Sequence, residues 1–384
     1  MNVAYIVPSL QKPSGWRTHA VAFIRAMSAH VQPVLFVAQA DRDEAQALFP
    51  DLPLFVLPVT QQASLHTLKG MPALFSGWQT IATTNYPSID LVHSLEAYPT
   101  GLLGSWLAEK LRCPHALTSH GTYGVIWHRY LLDRLVYQGV LSQTQLVFPV
   151  SHGTEQAMRR YFSRSMKNCR VLPISNGNDF YTKVPQQEAL ERGIPSVPTL
   201  LTVGDVKPRK GQHISLQAFA QVKREIPQAC YIIVGSYTQN GYFQQLARMI
   251  AEQHIDDVIF TGVVSDETLH RHYQEASVFT LTPQEIEGDQ FEGFGLVYLE
   301  AGAYGLPVVG TRCGGVADTV REGITGFLAN PDDVDSIAQA MLRLFKDPAL
   351  AQEMGRANRL WAETLTWEKN ATEHFRAYQE VVKQ

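Results

Sequence analysis

The chain has 384 residues, too many for one ordinary hydrophobic core, so two domains are expected. A composition of 45% hydrophobic and 18% charged residues is that of a folded globular protein, and a formal net charge of -4 excludes a general attraction to nucleic acid. No apolar run reaches the roughly 18 residues of a membrane-spanning helix, no basic leader precedes the first strand, and Cys113, Cys169, Cys230 and Cys313 follow no ligand or disulfide spacing, so they read as buried thiols of a cytoplasmic protein.

In chain order, residues 3–7 read as a strand that leads through the basic loop Lys12-Pro13-Ser14 to Gly15 and a helix through His30. Short apolar strands follow at 34–37, 90–93, 115–118 and 146–151, the last with a helix to about Phe162. Residues 127–137 mix aromatics, leucines and arginines on a helical spacing. That helix either packs on its own domain or lies weakly at a bilayer surface as a peripheral contact. Residues 185–198, with Gln186, Gln187, Gly193 and Pro195, read as a linker.

The second half alternates more regularly. Strands are expected at 199–203, 229–235, 258–264, 277–281 and 306–310, with helices at 213–225, 242–254 and 266–275 and another beginning at Phe294. Such alternation predicts a parallel sheet covered on both faces, with ligands at the carboxyl ends of the strands. Residues 367–382 read as a final helix. The expected division is therefore 1–184, a linker at 185–198, 199–365, and a C-terminal helix at 366–384 that returns to the first domain, with a cleft between the two domains.

Glu292-Gly293-Phe294-Gly295-Leu296-Val297-Tyr298-Leu299-Glu300 carries the strongest chemical signal. Glycines at a helix start leave backbone N–H groups facing outward, and the helix dipole favours an anion there. Glu292 is expected just before the helix and Glu300 about two turns inside it. A carboxylate on an apolar helix face is costly unless hydrogen-bonded, which suits a polyhydroxylated ligand for Glu300. For Glu292 the plainer alternative is an acid stabilised by the helix dipole. Lys210 and Arg209, before Gly211 and after the strand that ends at Val203-Gly204, supply fixed positive charge, although a solvated lysine is the ordinary alternative. Asp41-Arg42-Asp43 and Asp333-Val334-Asp335 precede helices and read as caps rather than metal ligands. No strand is followed by Gly-x-Gly-x-x-Gly, which argues against a nicotinamide dehydrogenase.

The ordered set Val203-Gly204, Lys210-Gly211, Phe260-Thr261-Gly262, Glu292-x7-Glu300-Ala301, Gly305-x-Pro307-Val308-Val309, Gly314-Gly315 and Gly326 resembles the retaining nucleotide-sugar glycosyltransferases of the GT-B fold that carry paired glutamates. Gly15, His120-Gly121, Val150-Ser151 and Asn176-Gly177-x-Asp179 resemble the same family in the first half. The resemblance implies two Rossmann-like doubly wound α/β domains and transfer of a sugar from a nucleotide-diphosphate donor to a hydroxyl of a glycan or lipid-linked acceptor. UDP is the first expected nucleotide and GDP the second, with no further cofactor and no essential divalent metal.

The resemblance further implies that Lys210 and Arg209 face the diphosphate, with the amides around Gly293, Phe294, Gly295 and Leu296 holding its oxygens. Glu300 would take the ribose hydroxyls, Gly262 and Val263 the base, and Gly15 the close approach of backbone to the diphosphate. Glu292 and His120 would lie near the transferred sugar. The family has Arg where this chain has Asp205, so Arg209 is expected to replace that charge. The loop 284–291 is longer and more acidic than usual, and the loops 10–17, 66–79 and 121–128 are expected to choose the acceptor. The alternatives are a non-catalytic two-domain sugar binder and a nucleotide-sugar epimerase of the same architecture.

Overall fold

The computed structural model describes residues 1–11, 15–58, 65, 70–193, 195–239, 241–287 and 290–383. It divides into two compact units: Met1–Gly177 with Trp367–Gln384, and Asn178–Thr366. The first holds a parallel sheet of seven strands: β1 (Asn2–Ile6), β2 (Gln32–Ala38), β3 (Leu54–Leu57), β4 (Leu91–Ser94), β5 (His115–Ser119), β6 (Leu146–Pro149) and β7 (Arg170–Val171). Their order is β3-β2-β1-β4-β5-β6-β7, so the winding reverses between β1 and β4. Every residue of β4, β5 and β6 is buried, as expected of strands covered by helices on both faces.

The second unit repeats the plan with β8 (Thr199–Val203), β9 (Cys230–Val234), β10 (Val258–Gly262), β11 (Val278–Leu281), β12 (Val308–Thr311) and β13 (Gly326–Ala329). The order β10-β9-β8-β11-β12-β13 puts its reversal between β8 and β11. Ligands of open parallel sheets bind beyond the strand ends at such reversals. The α/β class with two doubly wound parallel sheets expected from the sequence is the class observed.

The first unit contains elements that the apolar pattern did not mark: β3, β7 and the helices Gly70–Thr83 and Thr100–Leu111. Residues 70–79, expected as part of a loop, open the first of these helices, whereas residues 12–14, 59–64, 66–69 and 288–289 lie outside the described set. Asp41 does not cap the helix Arg42–Leu48; its Oδ1 accepts the Leu10 amide at 2.9 Å and so ties the end of the first strand's loop. Asp333 does cap, accepting the Ser336 amide at 2.9 Å. Cys313 alone of the four cysteines is buried, the others being half-buried, and all four are free thiols.

The division falls at Gly177/Asn178 and not after residue 184. The Asn178 side chain donates to Ala362 and Leu365 carbonyls at 2.8 and 2.7 Å, and Arg359 donates to the Tyr181 carbonyl at 2.9 Å. Residues 185–198, expected as a linker, are held to the second unit as well. They include the helix Gln186–Leu190, and the Arg192 guanidinium donates to the carbonyls of Tyr304, Gln274 and Ala276. Prolines and glycines marked breaks in helix and strand there, and said nothing about tertiary hydrogen bonds.

The helix Trp367–Val382 belongs to the first unit, where Ala371, Ala377 and Tyr378 join the core formed by Tyr5, Phe23, Phe148 and their neighbours. The Tyr378 hydroxyl lies 2.6 Å from His93 Nδ1, and His93 Nε2 lies 2.8 Å from the Thr118 hydroxyl. Burial holds His93 well below its ordinary pKa, so a neutral ring bridges strand and helix. Tyr378→Phe leaves one ring nitrogen without a partner. It is expected to lower unfolding free energy by about 1–3 kcal/mol at unchanged denaturant slope, measured by urea titration.

Candidate functional site

In the second unit the strand ends at the reversal carry a cluster of opposite charges. After β8 the chain turns through Pro208–Lys210 into the helix Gln212–Glu225. Gly211 has φ of +70° and lies so close to Thr282 that a Cβ would stand 1.7 Å from its carbonyl oxygen. The Thr282 hydroxyl donates to Gly211 O at 2.7 Å, the Gln284 amide to Arg209 O at 3.1 Å, and the Gln284 side chain to Pro208 O at 3.0 Å. The turn that bears both cations is thereby fastened to the segment that follows β11.

Glu292 stands between them. Its Oε2 accepts Lys210 Nζ at 2.5 Å and Arg209 Nη1 at 3.1 Å, and the Lys210 and Glu292 side chains are each only 12% exposed. Burial opposes ionisation of Glu292, but the charges of Lys210 and Arg209 win and hold its carboxyl below the ordinary range. The Glu292 backbone is fixed too: its carbonyl accepts the Gly315 amide at 2.8 Å, and a Cβ on Gly314, at φ +55°, would lie 2.0 Å from it. Two cations against one carboxylate leave a net positive charge where the strand ends point. Arg209, nominated as the replacement for the missing arginine, shares its partner oxygen with Lys210. Asp205 instead accepts from Lys207 at 2.9 Å and from the Ser236 hydroxyl at 2.5 Å.

The helix Leu296–Ala303 begins at Gly295, which has φ of +90°, and no side chain caps its first turn. Phe294 and Gly293 are both buried. Glu300 is the fifth residue of this helix, little more than one turn inside rather than two. It is not part of the ion cluster. Burial raises its carboxyl to about 7, offset in part by the Tyr273 hydroxyl and the charge of Lys183 and reinforced by Asp266. The Tyr273 hydroxyl itself lacks a hydrogen bond of normal geometry. Gly262 ends β10 with φ of +73°, and Val263 beyond it is 80% exposed.

Gly15 and His120 belong to the first unit. Gly15 opens the helix Gly15–Met27, and nothing lies within 4 Å of where a Cβ would stand. His120 follows β5. Its Nε2 lies 3.1 Å from the Leu95 carbonyl, so the proton sits there and Nδ1 is an acceptor. Burial lowers its pKa to about 4, and the ring is neutral. The sequence reading passed over Glu96, beyond the end of β4, and the aromatic pair Trp16 and Tyr123. An acid just past a strand end was the signal available for the first. The described residues contain no cluster of three or more histidine, cysteine or acidic side chains suited to a metal ion.

Residues 186–361 match the profile of glycosyl transferases group 1, and residues 14–177 match the glycosyl transferase 4-like domain. The GDP-mannose-dependent alpha-(1-6)-phosphatidylinositol monomannoside mannosyltransferase of Mycolicibacterium smegmatis is 32% identical over 272 residues, which cover 69% of this chain and 70% of that protein. The chain belongs to the group 1 glycosyl transferases. The protein of the same description from Mycobacterium tuberculosis is 30% identical, with 65% of each chain covered. Among solved structures, Anabaena HepE in complex with UDP and glucose superposes with a TM-score of 0.72 at 20% identity, covering 99% of this chain and 100% of that one. A glycosyltransferase from Rickettsia africae superposes with a TM-score of 0.75 at 16% identity, covering 100% and 99%. This glycosyltransferase therefore has the GT-B fold.

The raised Glu300 carboxyl has a stability consequence. Its folded pKa lies above the ordinary 4.5, so the favourable contribution of the protonated form is complete below 4.5 and is lost as pH rises through about 7. Glu300→Gln is expected to gain thermal stability relative to the native protein across that window and to hold a constant lead above it. Unfolding temperatures measured from pH 4.5 to 8 check this; a lead independent of pH contradicts it.

Proposed function

We propose that this chain is a retaining hexosyltransferase that passes a sugar from a nucleotide diphosphate to a hydroxyl of a glycan or glycolipid. The observation that carries this reading is the Lys210–Glu292–Arg209 cluster at the end of β8. The cations are already paired by a carboxylate, which occupies the position suited to an anion. An arriving diphosphate takes over both cations, together with the uncapped helix start at Gly295 and Leu296. Glu292 is then released toward the hydroxyls of the transferred sugar. As the bond to the sugar breaks, negative charge grows on the diphosphate, and Lys210 and Arg209 oppose it. The acceptor hydroxyl attacks from the face that the diphosphate leaves, and its proton passes toward the departing oxygen.

Glu300 takes the ribose hydroxyls in this reading, and the backbone around Gly262 and Val263 meets the base. Family frequency put UDP first. The names of the mannosyltransferase relatives favour GDP-mannose and a phosphatidylinositol-linked acceptor, and that pairing is the one proposed. Lys210→Ala is expected to lower kcat by about 10²–10³-fold, the scale of losing a group that stabilises transition-state charge. Arg209→Ala is expected to weaken donor binding. Glu300→Ala is expected to remove the thermal shift produced by the donor in a screen of GDP-, UDP- and ADP-sugars. A protein that binds these sugars but releases no nucleotide with any acceptor is a sugar binder, and an epimerised donor identifies an epimerase.

A peripheral membrane contact of the first unit is supported by the helix Leu131–Gln143. Tyr137, Val140 and Leu141 of this helix are buried, but at its start Asp133 is buried too, accepting the Leu65 amide at 2.7 Å, while Leu131, Leu132 and Leu135 are 70, 57 and 56% exposed. Arg129 and Arg134 neighbour them in sequence. Leucines facing outward beside arginines suit an anionic bilayer surface. No helix among the described residues is long and apolar enough to cross a membrane. Co-sedimentation with phosphatidylglycerol vesicles at low salt is expected, with at least a threefold loss for the Leu131→Asp/Leu135→Asp double variant; equal binding of both proteins excludes this surface.

A further inference from the structure

Away from the donor site, Arg192 is a cation with no carboxylate opposite it. Main-chain carbonyls hold its guanidinium: Nη1 donates to Tyr304 at 3.0 Å, and Nη2 to Gln274 and Ala276 at 3.0 and 2.5 Å. The acids nearest in the chain are turned to other partners. Glu188 accepts the Gln274 side-chain amide at 2.7 Å, and Glu191 accepts that of Gln187 at 3.2 Å. Among the described residues no carboxylate forms an ion pair with Arg192. The one acid outside that set, Asp289, falls in sequence between Ile286 and Gln290, which pair with each other after the carboxyl end of β11. Burial lowers the Arg192 pKa to about 10, the direction expected of a charge that nothing compensates. Dehydrating a cation against neutral acceptors is costly, and an anion that completes it removes that cost.

The surroundings say what kind of anion. Arg192 lines a recess of about 500 Å³ in the second unit, at the amino ends of β8, β11 and β12, where Pro198, Ser277 and Pro307 precede the three strands. Lys210 and Arg209 follow β8, beyond the opposite ends of the same strands. Gly305, at φ +68°, lets Arg192 lie across bare backbone: a Cβ there would stand 3.5 Å from its Cδ. Ser277 follows Ala276, whose carbonyl holds the guanidinium. Its Oγ accepts the Thr199 amide at 3.1 Å, and its hydroxyl hydrogen has no acceptor among the described residues. The remaining wall is mostly apolar, with Phe345 from the helix Val334–Lys346 and Ala351 from the helix Pro348–Thr364. Asp347, between those helices, is exposed and already accepts the Leu350 amide at 3.1 Å.

The recess thus presents a fixed cation, a hydroxyl donor and apolar walls. An inorganic anion would leave Phe345 and the prolines facing water, and an uncharged apolar molecule would leave the guanidinium unopposed. A small organic acid satisfies both. We propose that this recess binds a small organic monocarboxylate whose apolar body is about the size of a six-carbon chain or a phenyl ring, its carboxylate held by Arg192 and Ser277. The acid sits across the sheet from the Lys210–Glu292–Arg209 cluster, so it and a nucleotide occupy the chain together.

Calorimetry and saturation-transfer NMR of hexanoate and benzoate on the full chain test this. The comparisons are 1-hexanol and benzamide as uncharged counterparts, acetate as a carboxylate without an apolar body, and inorganic phosphate as a plain anion. At least one of the two acids is expected to bind about tenfold or more tightly than its uncharged counterpart, acetate and phosphate, the scale of one charge-assisted hydrogen bond or two buried methylenes. Arg192→Gln is expected to weaken that acid by about tenfold or more. Where Arg192→Gln does not fold, Ala351→Trp replaces it, since it fills the recess from a half-buried helix position and removes none of the hydrogen bonds named above. GDP and UDP are expected not to displace the acid. Binding of neither acid, equal binding of the counterpart, acetate or phosphate, or unchanged affinity in the variant that folds overturns the site. Displacement of the acid by GDP or UDP overturns it too, by assigning the acid to the Lys210–Arg209 cluster.

Discussion

One carboxylate, Glu292, governs the electrostatics of the second unit. Lys210 and Arg209 are carried on a turn that would otherwise place two like charges side by side in a partly dry environment. A single oxygen of Glu292 meets both of them, and their charges hold its carboxyl ionised despite burial. The backbone arranges this meeting. Thr282 and Gln284 fasten the cationic turn to the segment after β11, and Gly314 and Gly315 leave room for the Glu292 carbonyl. The pair is thus held by two neighbouring strand ends, β8 and β11, where the winding of the sheet reverses.

The two units use the same sheet geometry in electrically different ways. Beyond β8 and β11 the strand ends display an ammonium, a guanidinium and a helix start that no side chain caps. Beyond β1, β4 and β5 they display neutral imidazoles, one protonatable carboxyl and two aromatic rings. Burial causes the difference. It keeps the histidines uncharged and lifts the Glu96 carboxyl, whereas the cations beside Glu292 overcome the same burial and keep it ionised. Glu300 follows the pattern of Glu96: it is an acid in an apolar helix face with no full partner, distinct from the ion cluster only four residues before its helix.

Much of the second unit was legible in the chain. Strand 199–203 and helix 266–275 coincide with the observed elements, and the other expected elements there overlap theirs, because short apolar strands alternate with amphipathic helices. The first unit was less legible. The helix Thr100–Leu111 is buried over most of its surface, so it shows little periodicity, and β7 has only two residues. Glu96 was missed because its place just past a strand end, the one local signal, does not tell that the acid is buried. Asp41 was misjudged because a cap and a long-range acceptor look alike before the partner, here the Leu10 amide, is known.

By itself the sequence determined the doubly wound class, the order of strands and helices in the second unit, and the residue types of its charged cluster. Those depend on patterns repeated every two or four residues and on motifs short enough to read along the chain. Only the tertiary structure decided who partners whom. It showed that Lys210 and Arg209 converge on one oxygen of Glu292, that residues 178–198 are tied to the second unit, and that Glu96 sits among Trp16, His120 and Tyr123. These contacts join residues tens of positions apart. Their strength comes from burial and from the directions in which neighbouring strands end, neither of which exists until the sheet has formed.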